Sequence, residues 1–467
     1  MQSPLLRQLD RWLIPFLFLI GTAAGLNHIR SIRTGNVLWS DGEGYYLYLP
    51  ATFIYNSWQQ FDGEDGLNMI ACCAVNEEKI VQTRYTYGIA LLEAPFFLGA
   101  HAYASLFQGP GTPPPPDYTQ KADNAWAQSI SDRRWTELRG RATGWSHPYS
   151  TGVVIAGIFY LCLGLYCLKQ TLKRWFSPEA VLPVIVVIFL GTNLYYYATQ
   201  EPGMSHVYSF FLFAAFLYLL PNFLAQGKWT TTLLLGAVTG LVLLIRPTNL
   251  VLLLMFVGFE VYTWAELKAR LQLLLRRWPA LLGIGATTAL FILPQLLYWK
   301  YAFGSWLTYS YGDEGFIYWN HPKLLQVWFS HQNGLFLYTP IMLLAVVGIV
   351  GAWRKRQMSA PVTGLIFFLA SYTFASWWAW WFGGAFGHRC YVEFYALLAW
   401  PMAWTVSTLQ KRKAQWPRIA VGLVLLAAIY LNLKMTAMYT PPWDGPDWTF
   451  DRYLDVVKGA VKFWYWP

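Results

Sequence analysis

The feature that most constrains this chain is serial hydrophobicity. About eleven apolar runs, each near the roughly 20 residues that cross a bilayer core, follow one another along 467 residues. They are Leu13 to Ile29, Ser150 to Leu168, Ala180 to Ala198, Val207 to Leu224, Thr231 to Ile245, Leu250 to Trp264, Ala280 to Trp299, Leu335 to Trp353, Val362 to Trp381, Val392 to Leu409 and Ile419 to Met438. Segments in lipid must satisfy their own backbone hydrogen bonds, which runs of this length do as helices. The expectation is an all-α, polytopic membrane protein forming a single transmembrane domain over residues 1–467. Composition agrees, with 56% apolar, 18% aromatic and only 12% charged residues. The Thr231 and Leu250 runs are short and separated by Arg246, Pro247 and Thr248, and they read as a tight hairpin. Arg7 and Arg11 precede the first run and no small-residue cleavage pattern follows it, so it reads as a retained anchor.

Basic residues orient the chain, because short cytoplasmic loops keep Lys and Arg. Lys169, Lys173 and Arg174, then Lys228, then Lys268, Arg270, Arg276 and Arg277, then Arg354 to Arg356, then Lys411 to Lys413 with Arg418 mark five such loops. With Arg7 and Arg11 they hold seventeen of the 34 basic residues, against Asp10, Glu179 and Glu266 among the acids. The net charge of +10 is therefore mainly a topology signal. Nucleic-acid binding needs a contiguous basic patch, and the sequence has none.

Parity decides the reading of a twelfth apolar stretch, Tyr85 to Phe107. Arg11 and Lys169 share a side, so an even number of spans must separate them, and Leu13 to Ile29 with Ser150 to Leu168 already make two. The stretch, which carries Arg84, Glu93 and His101, is expected to lie in the outer interface. Arg30 to Tyr149 then forms one long external loop with interfacial helices and a proline-rich linker, "GPGTPPPPD". Tyr301 to Gly334 is a second long external segment, expected to gate substrate, and the tail from Tyr439 to Pro467 is also external.

The seven histidines fall on or near that outer side without zinc-like spacing. Cys162 and Cys167 lie within a span, and Cys72, Cys73 and Cys390 do not suggest a disulfide framework. Solvation accounts for Glu64, Asp65, Glu77 and Glu78. Asp41 and Glu43 differ, because they follow the first span directly, between Gly42 and Gly44 and beside Tyr45, Tyr46 and Tyr48. A carboxylate in such a half-buried aromatic setting suits a general base with a raised pKa. Arg246 and Arg389, each at the outer end of a helix, suit a clamp on a phosphate through charge-assisted and bidentate hydrogen bonds.

Several short motifs lie in a telling order: "SDGEGYY" after the first span, "YTYG" at Tyr85 to Gly88, "ATQEPGMSH" around Glu201, "LIRPTN", "NGLFLYTP" and "WWAWWFGGAFGHR". In these the sequence resembles the GT-C glycosyltransferases, multispanning enzymes that take a sugar from a polyprenyl-phosphate or polyprenyl-diphosphate donor. Protein O-mannosyltransferases, the lipid A aminoarabinose transferase and the oligosaccharyltransferase catalytic subunit are members. The resemblance implies a GT-C-type fold, an inverting transfer with Asp41 as general base, and Glu201 as a second acid. It departs from the family pattern in following the first acid with Gly42. The expected site comprises Asp41, Glu43 and Glu201 as catalytic groups, and Arg246, Arg389 and His388 on the donor phosphate. Tyr45, Tyr46, His206 and His331 are expected to contact substrate. The implied partners are a polyprenyl-phosphate-linked sugar donor, membrane lipids and an acceptor that is a glycolipid, a polysaccharide or a protein. The implied setting is a bacterial inner membrane with the site on its periplasmic face. No cofactor is expected; a divalent metal held by Asp41, Glu201 and Glu43 is the alternative to arginine for neutralising the phosphate. The competing function is a lipid-linked sugar flippase, which internal repeats and midplane charges would favour; no repeat is visible, and the charges collect at the ends of the runs.

Overall fold

The structure is a computed structural model that describes residues 3–32, 36–54, 73–75, 80–107, 142–309, 311–357, 359–439, 443–445 and 447–462. The proline-rich linker, Glu64, Asp65, Glu77, Glu78 and Cys72 lie outside the described residues. In chain order the first helices are α1 (Pro4–Ser31), α2 (Asp41–Tyr46), α3 (Tyr48–Phe53), α4 (Gly88–Phe107), α5 (His147–Leu172), α6 (Pro178–Leu190), α7 (Leu194–Thr199) and α8 (Ser205–Gln226). There follow α9 (Trp229–Ile245), a 3-10 turn Pro247–Leu253, α10 (Leu254–Gly258), α11 (Trp264–Arg276), α12 (Trp278–Phe303), α13 (Leu324–Phe329) and α14 (Leu335–Tyr338). The last are α15 (Leu343–Arg354), α16 (Ala360–Ser376), α17 (Tyr395–Gln410), α18 (Trp416–Met438) and α19 (Phe450–Val461).

Among the described residues, six helices are long and apolar enough to cross a membrane: α1, α4, α5, α8, α12 and α18. The apolar helices α6, α9 and α16 and the stretches Pro247–Gly258 and Pro340–Arg354 are shorter. The segment between α1 and α5 also contains a small antiparallel ribbon, β1 (Cys73–Val75) with β2 (Val81–Thr83), where only helices were expected.

The opening helix shows how local chemistry sets the packing. Ser3 accepts the Leu6 N–H and Pro4 opens α1, which satisfies or removes donors that the first turn leaves unpaired. Helix α1 then runs antiparallel to α5. At one end Asp10 pairs with Lys169 at 3.2 Å and with Lys173. Toward the other, a Cβ on Gly25 would lie 2.5 Å from Val154, so glycine sets the approach. Helices α15 and α17 meet still more closely: a Cβ on Gly348 would fall 1.9 Å from the Pro401 carbonyl oxygen. The centre of the bundle is the almost fully buried faces of α5, α6, α8 and α17, with Phe189, Phe213 and Trp400 inaccessible.

Helix α4 packs along only part of α5. The His101 ring meets Tyr149 at 2.6 Å near the start of α5, while Tyr160 donates to the Leu92 carbonyl at 3.0 Å near its middle. The start of α4 lies beside Leu244 and Ile245 at the C-terminal end of α9, where Thr86 donates to the Leu244 carbonyl at 2.6 Å. It therefore flanks the half of α5 that is nearer Asp41. At the opposite end of the bundle, Arg277 donates to the last carbonyls of α8, and a capping box of Thr263 and Glu266 opens the amphipathic helix α11. The tail forms a helix of its own: Thr449 caps α19, and Tyr453 ties it to the Leu337 carbonyl at 2.9 Å.

Candidate active site

The first acid is delivered by a sharp reversal. Ser40 takes a positive φ of 52° immediately before α2, which places Asp41 in the first turn of that short helix. Behind it Gly42 lies against the backbone of Gly203, with its added Cβ only 3.4 Å from the Gly203 carbonyl oxygen. That close approach seats α2 on the loop between α7 and α8, the loop that carries Glu201.

Arginine arrives from the opposite side. The "FGGAFGHR" segment turns through left-handed backbone at Phe382, Gly383 and Gly387, conformations that suit glycine. Its carbonyls are held from outside: Asn333 donates to Trp381 and Gly383, each at 2.9 Å, and Asn193 donates to Phe386 at 3.1 Å. Tyr395 in turn donates to Asn193 at 2.6 Å. Two separated motifs, "NGLFLYTP" and "WWAWWFGGAFGHR", thus build one support for Arg389.

The result is a compact charged cluster. Asp41 stands 3.4 Å from an Arg389 Nη and accepts the Tyr85 hydroxyl at 2.7 Å. Arg246, at the end of α9, donates to Glu393 at 2.9 Å, and His206, in the first turn of α8, meets the second Glu393 oxygen at 3.4 Å. Tyr45 packs against Tyr85, 4.6 Å between ring centres with the planes tilted by 49°. The Asp41, Arg389 and Arg246 side chains keep 28%, 20% and 19% of their surface exposed, so a ligand can reach all three. Arg389 Nε is buried and has no hydrogen-bond partner among the described residues.

Electrostatics separate the two acids. Burial would raise the Asp41 carboxyl, but Arg389, the Tyr85 hydroxyl, Arg246 and His206 together hold it below the ordinary aspartate value. Glu201, almost fully buried and accepting the Tyr196 hydroxyl at 2.7 Å, is instead pushed by burial to about 7 against the pull of Tyr196 and Arg389. One acid is ionised at neutral pH, and its neighbour is poised between states.

Of the residues expected from the sequence, Asp41, Glu201, Arg246, Arg389, Tyr45 and His206 converge. Glu43 shares α2 with Asp41 and is half-buried. Tyr46 points the other way and donates to the Gly144 carbonyl at 2.6 Å, a structural tie. The His388 ring is buried among Phe374, Phe382 and Tyr391, with Nε2 3.1 Å from the Trp380 carbonyl, and burial pushes it down to about 3. Neighbouring side chains on a tight turn diverge, so Arg389 enters the cluster and His388 does not. His331 lies beside Phe450 of the tail helix. Glu393 and Tyr85 are the members that the sequence reading did not select. An acid one residue inside an apolar run, four after Arg389, is the signal that could have found Glu393.

Among the described residues no group of three or more His, Cys, Asp or Glu side chains could hold a metal ion. Asp41 is engaged by Arg389 and Tyr85, and Glu201 by Tyr196, so the carboxylates face cationic or hydroxyl partners rather than one common point. Cys162, Cys167 and Cys390 are free and buried.

No protein-family model and no curated protein matches the sequence. Solved structures do. The Archaeoglobus fulgidus oligosaccharyltransferase crystallised with zinc and sulfate aligns at a TM-score of 0.50 with 13% identity, over 97% of this chain and 57% of that one. The same archaeal enzyme, AglB, in complex with an inhibitory peptide and a dolichol-phosphate aligns at 0.48 with 12% identity, over 98% and 60%. ArnT from Cupriavidus metallidurans bound to undecaprenyl phosphate aligns at 0.44 with 13% identity, over 96% and 69%. The chain thus spans about 60% of the length of the oligosaccharyltransferase it matches. Its largely helical fold is shared with that oligosaccharyltransferase.

Proposed function

We propose that this chain is an inverting glycosyltransferase that moves a sugar from a polyprenyl-phosphate donor to an acceptor hydroxyl, on the outer face of a bacterial inner membrane. The observation that carries the reading is the pairing of Asp41 with Arg389, flanked by Arg246 on its own carboxylate. A single displacement needs an acid-free leaving phosphate with its charge held and a base beside the incoming hydroxyl. The cluster offers both within a few ångströms.

In this reading the donor phosphate meets Arg389 through its exposed Nη groups and Arg246 beside it. The phosphate competes with Asp41 for the same guanidinium. As Arg389 turns to the phosphate, Asp41 loses its counter-charge, its carboxyl becomes more basic, and it accepts the proton of the acceptor hydroxyl. The hydroxyl oxygen bonds to the anomeric carbon while the bond from that carbon to the phosphate oxygen breaks, and the electron pair leaves with the polyprenyl phosphate. A phosphate with a second pKa of about 6 departs without an acid catalyst. Glu393 acts through Arg246 and His206, holding both in place. An apolar cavity of about 360 Å³ between α3, α4 and α12, lined by Tyr48, Phe53, Ala90, Leu91 and Pro294, suits the polyprenyl chain. Tyr48, which donates to the Tyr85 carbonyl at 2.7 Å, links that cavity to the Asp41 partner.

Retention of undecaprenyl phosphate by the purified full chain tests the reading. Wild type should bind the lipid phosphate, Arg389→Ala should lose at least tenfold in affinity, and Arg84→Ala, on an exposed pair 3.7 Å from Glu314, should not change it. Equal binding by wild type and Arg389→Ala would refute the clamp.

A further inference from the structure

Outside the Asp41 cluster, a cavity of about 930 Å³ lies at the other end of the bundle. It lies where the turn after α5, the link from α10 to α11, the turn after α15 and the end of α17 come together. Lys355, Arg356, Lys411 and Arg412 line it, and among the described residues none of the four belongs to an ion pair. Two acids share the lining. One of them, Glu266, already accepts the backbone N–H groups of Tyr262 and Thr263 at 2.6 and 2.9 Å, leaving Glu260 against four cations.

The cavity is built rather than incidental. Trp404 lines it and abuts Gly351, where a Cβ would come within 2.4 Å of the indole. Trp404 Nε1 donates to Gln357 at 2.7 Å, and Lys355 Nζ stands 5.5 Å above the ring centre. The rim is cross-tied: Glu260 N donates to Ser359 Oγ at 2.9 Å and Ser359 N donates to Tyr262 Oη at 2.8 Å. Glu260, Arg356 and Ser359 all hold positive φ, three of the six such non-glycine residues among those described. Backbone of that kind persists only where its surroundings impose it. Exposed Trp264, Trp353 and Trp416 on neighbouring helix ends mark this level as an interface between apolar and polar surroundings.

We propose that this cavity binds the phosphodiester headgroup of an anionic membrane lipid. Four cations with no ion pair among the described residues, grouped beside Trp404 at the end of apolar helices, match a phosphate that arrives attached to acyl chains. The site is distinct from the Asp41 cluster and independent of the proposed transfer. Lys355, held over the Trp404 ring, and the three neighbouring cations would meet the phosphate oxygens.

The test uses the full chain reconstituted with equal phosphatidylglycerol and phosphatidylcholine, then examined by native mass spectrometry for retained lipid. Wild type should keep phosphatidylglycerol in preference to phosphatidylcholine by about tenfold. The combined Lys355→Gln, Arg356→Gln, Lys411→Gln and Arg412→Gln variant should lose that preference. A control with the same charge change at the same end, Arg7→Gln, Lys228→Gln, Lys268→Gln and Arg276→Gln, should keep it within twofold. Should the first combination aggregate, Lys411→Gln with Arg412→Gln provides the comparison, with a loss of at least threefold expected. Equal losses in cavity and control variants would overturn the proposal, because they reduce the effect to general surface charge. Displacement of the lipid preference by millimolar inorganic phosphate or glycerol 3-phosphate would overturn the lipid source and assign the cavity to a soluble phosphate.

Discussion

Replacing Glu393 with glutamine isolates the role of the carboxylate that supports Arg246. Glu393 is fully buried, receives Arg246 at 2.9 Å and meets His206 at 3.4 Å. Truncating one partner of a buried pair commonly costs about 3–5 kcal/mol, because the other charge is left without compensation. Glutamine keeps the volume and one acceptor, and Arg246 retains 19% exposure through which water can reach it. The loss should therefore approach that of a charge-assisted hydrogen bond, about 2–3 kcal/mol. At roughly 1 °C per kcal/mol for a chain of this size, the apparent Tm should fall by about 2–3 °C. The 26 tryptophans make intrinsic fluorescence in detergent a direct assay. Undecaprenyl phosphate should raise the Tm of Glu393→Gln by more than it raises wild type, because the lipid phosphate supplies the anion that Arg246 has lost. Glu314→Gln, which removes an exposed pair to Arg84 at 3.7 Å, should shift Tm by less than about 1 °C. An unchanged Tm in Glu393→Gln, or a lipid-induced rise no larger than wild type's, would refute the reasoning.

Three further outcomes follow from the same geometry. Glu201, pushed by burial to about 7, is neutral below that pH and charged above it. Once charged it competes with the donor phosphate for Arg389, so donor KM should rise as pH passes through 7, and Glu201→Gln should flatten that limb; a limb unchanged in the variant contradicts the assignment. A chelator should leave transfer from polyprenyl monophosphate intact, and loss of activity restored by magnesium or manganese would favour a metal instead. In intact cells an impermeant thiol reagent should label a cysteine replacing Asp313 but not one replacing Lys355, and the reverse pattern would invert the proposed orientation.

The cluster was partly legible because charge at the end of an apolar run is costly unless it has work to do. Asp41, Glu201, Arg246 and Arg389 all sit at such ends, and the loop charges placed those ends together. What the sequence could not supply was side-chain direction within a tight turn. His388 and Arg389 are adjacent, yet one packs among aromatic rings and the other meets Asp41. Tyr45 and Tyr46 divide in the same way between cluster and scaffold. Glu393 escaped notice because an acid just inside an apolar run reads as its edge, and only Arg246, 147 residues away, reveals its purpose. Strands β1 and β2, three residues each, are too short for alternation to register, and the tail helix α19 is amphipathic, unlike the uniformly apolar runs by which spans are recognised.

Turnover of Asp41→Asn tests the central claim most directly. Asparagine preserves the shape at Asp41 and can still accept the Tyr85 hydroxyl, but it cannot take the proton of an acceptor, and it removes the carboxylate that competes for Arg389. Measured at equal amounts of folded protein and saturating sugar-linked polyprenyl phosphate, transfer should fall by roughly two to four orders of magnitude. Binding of undecaprenyl phosphate should stay equal to wild type or tighten. Transfer at the wild-type rate by a folded Asp41→Asn protein would contradict the account.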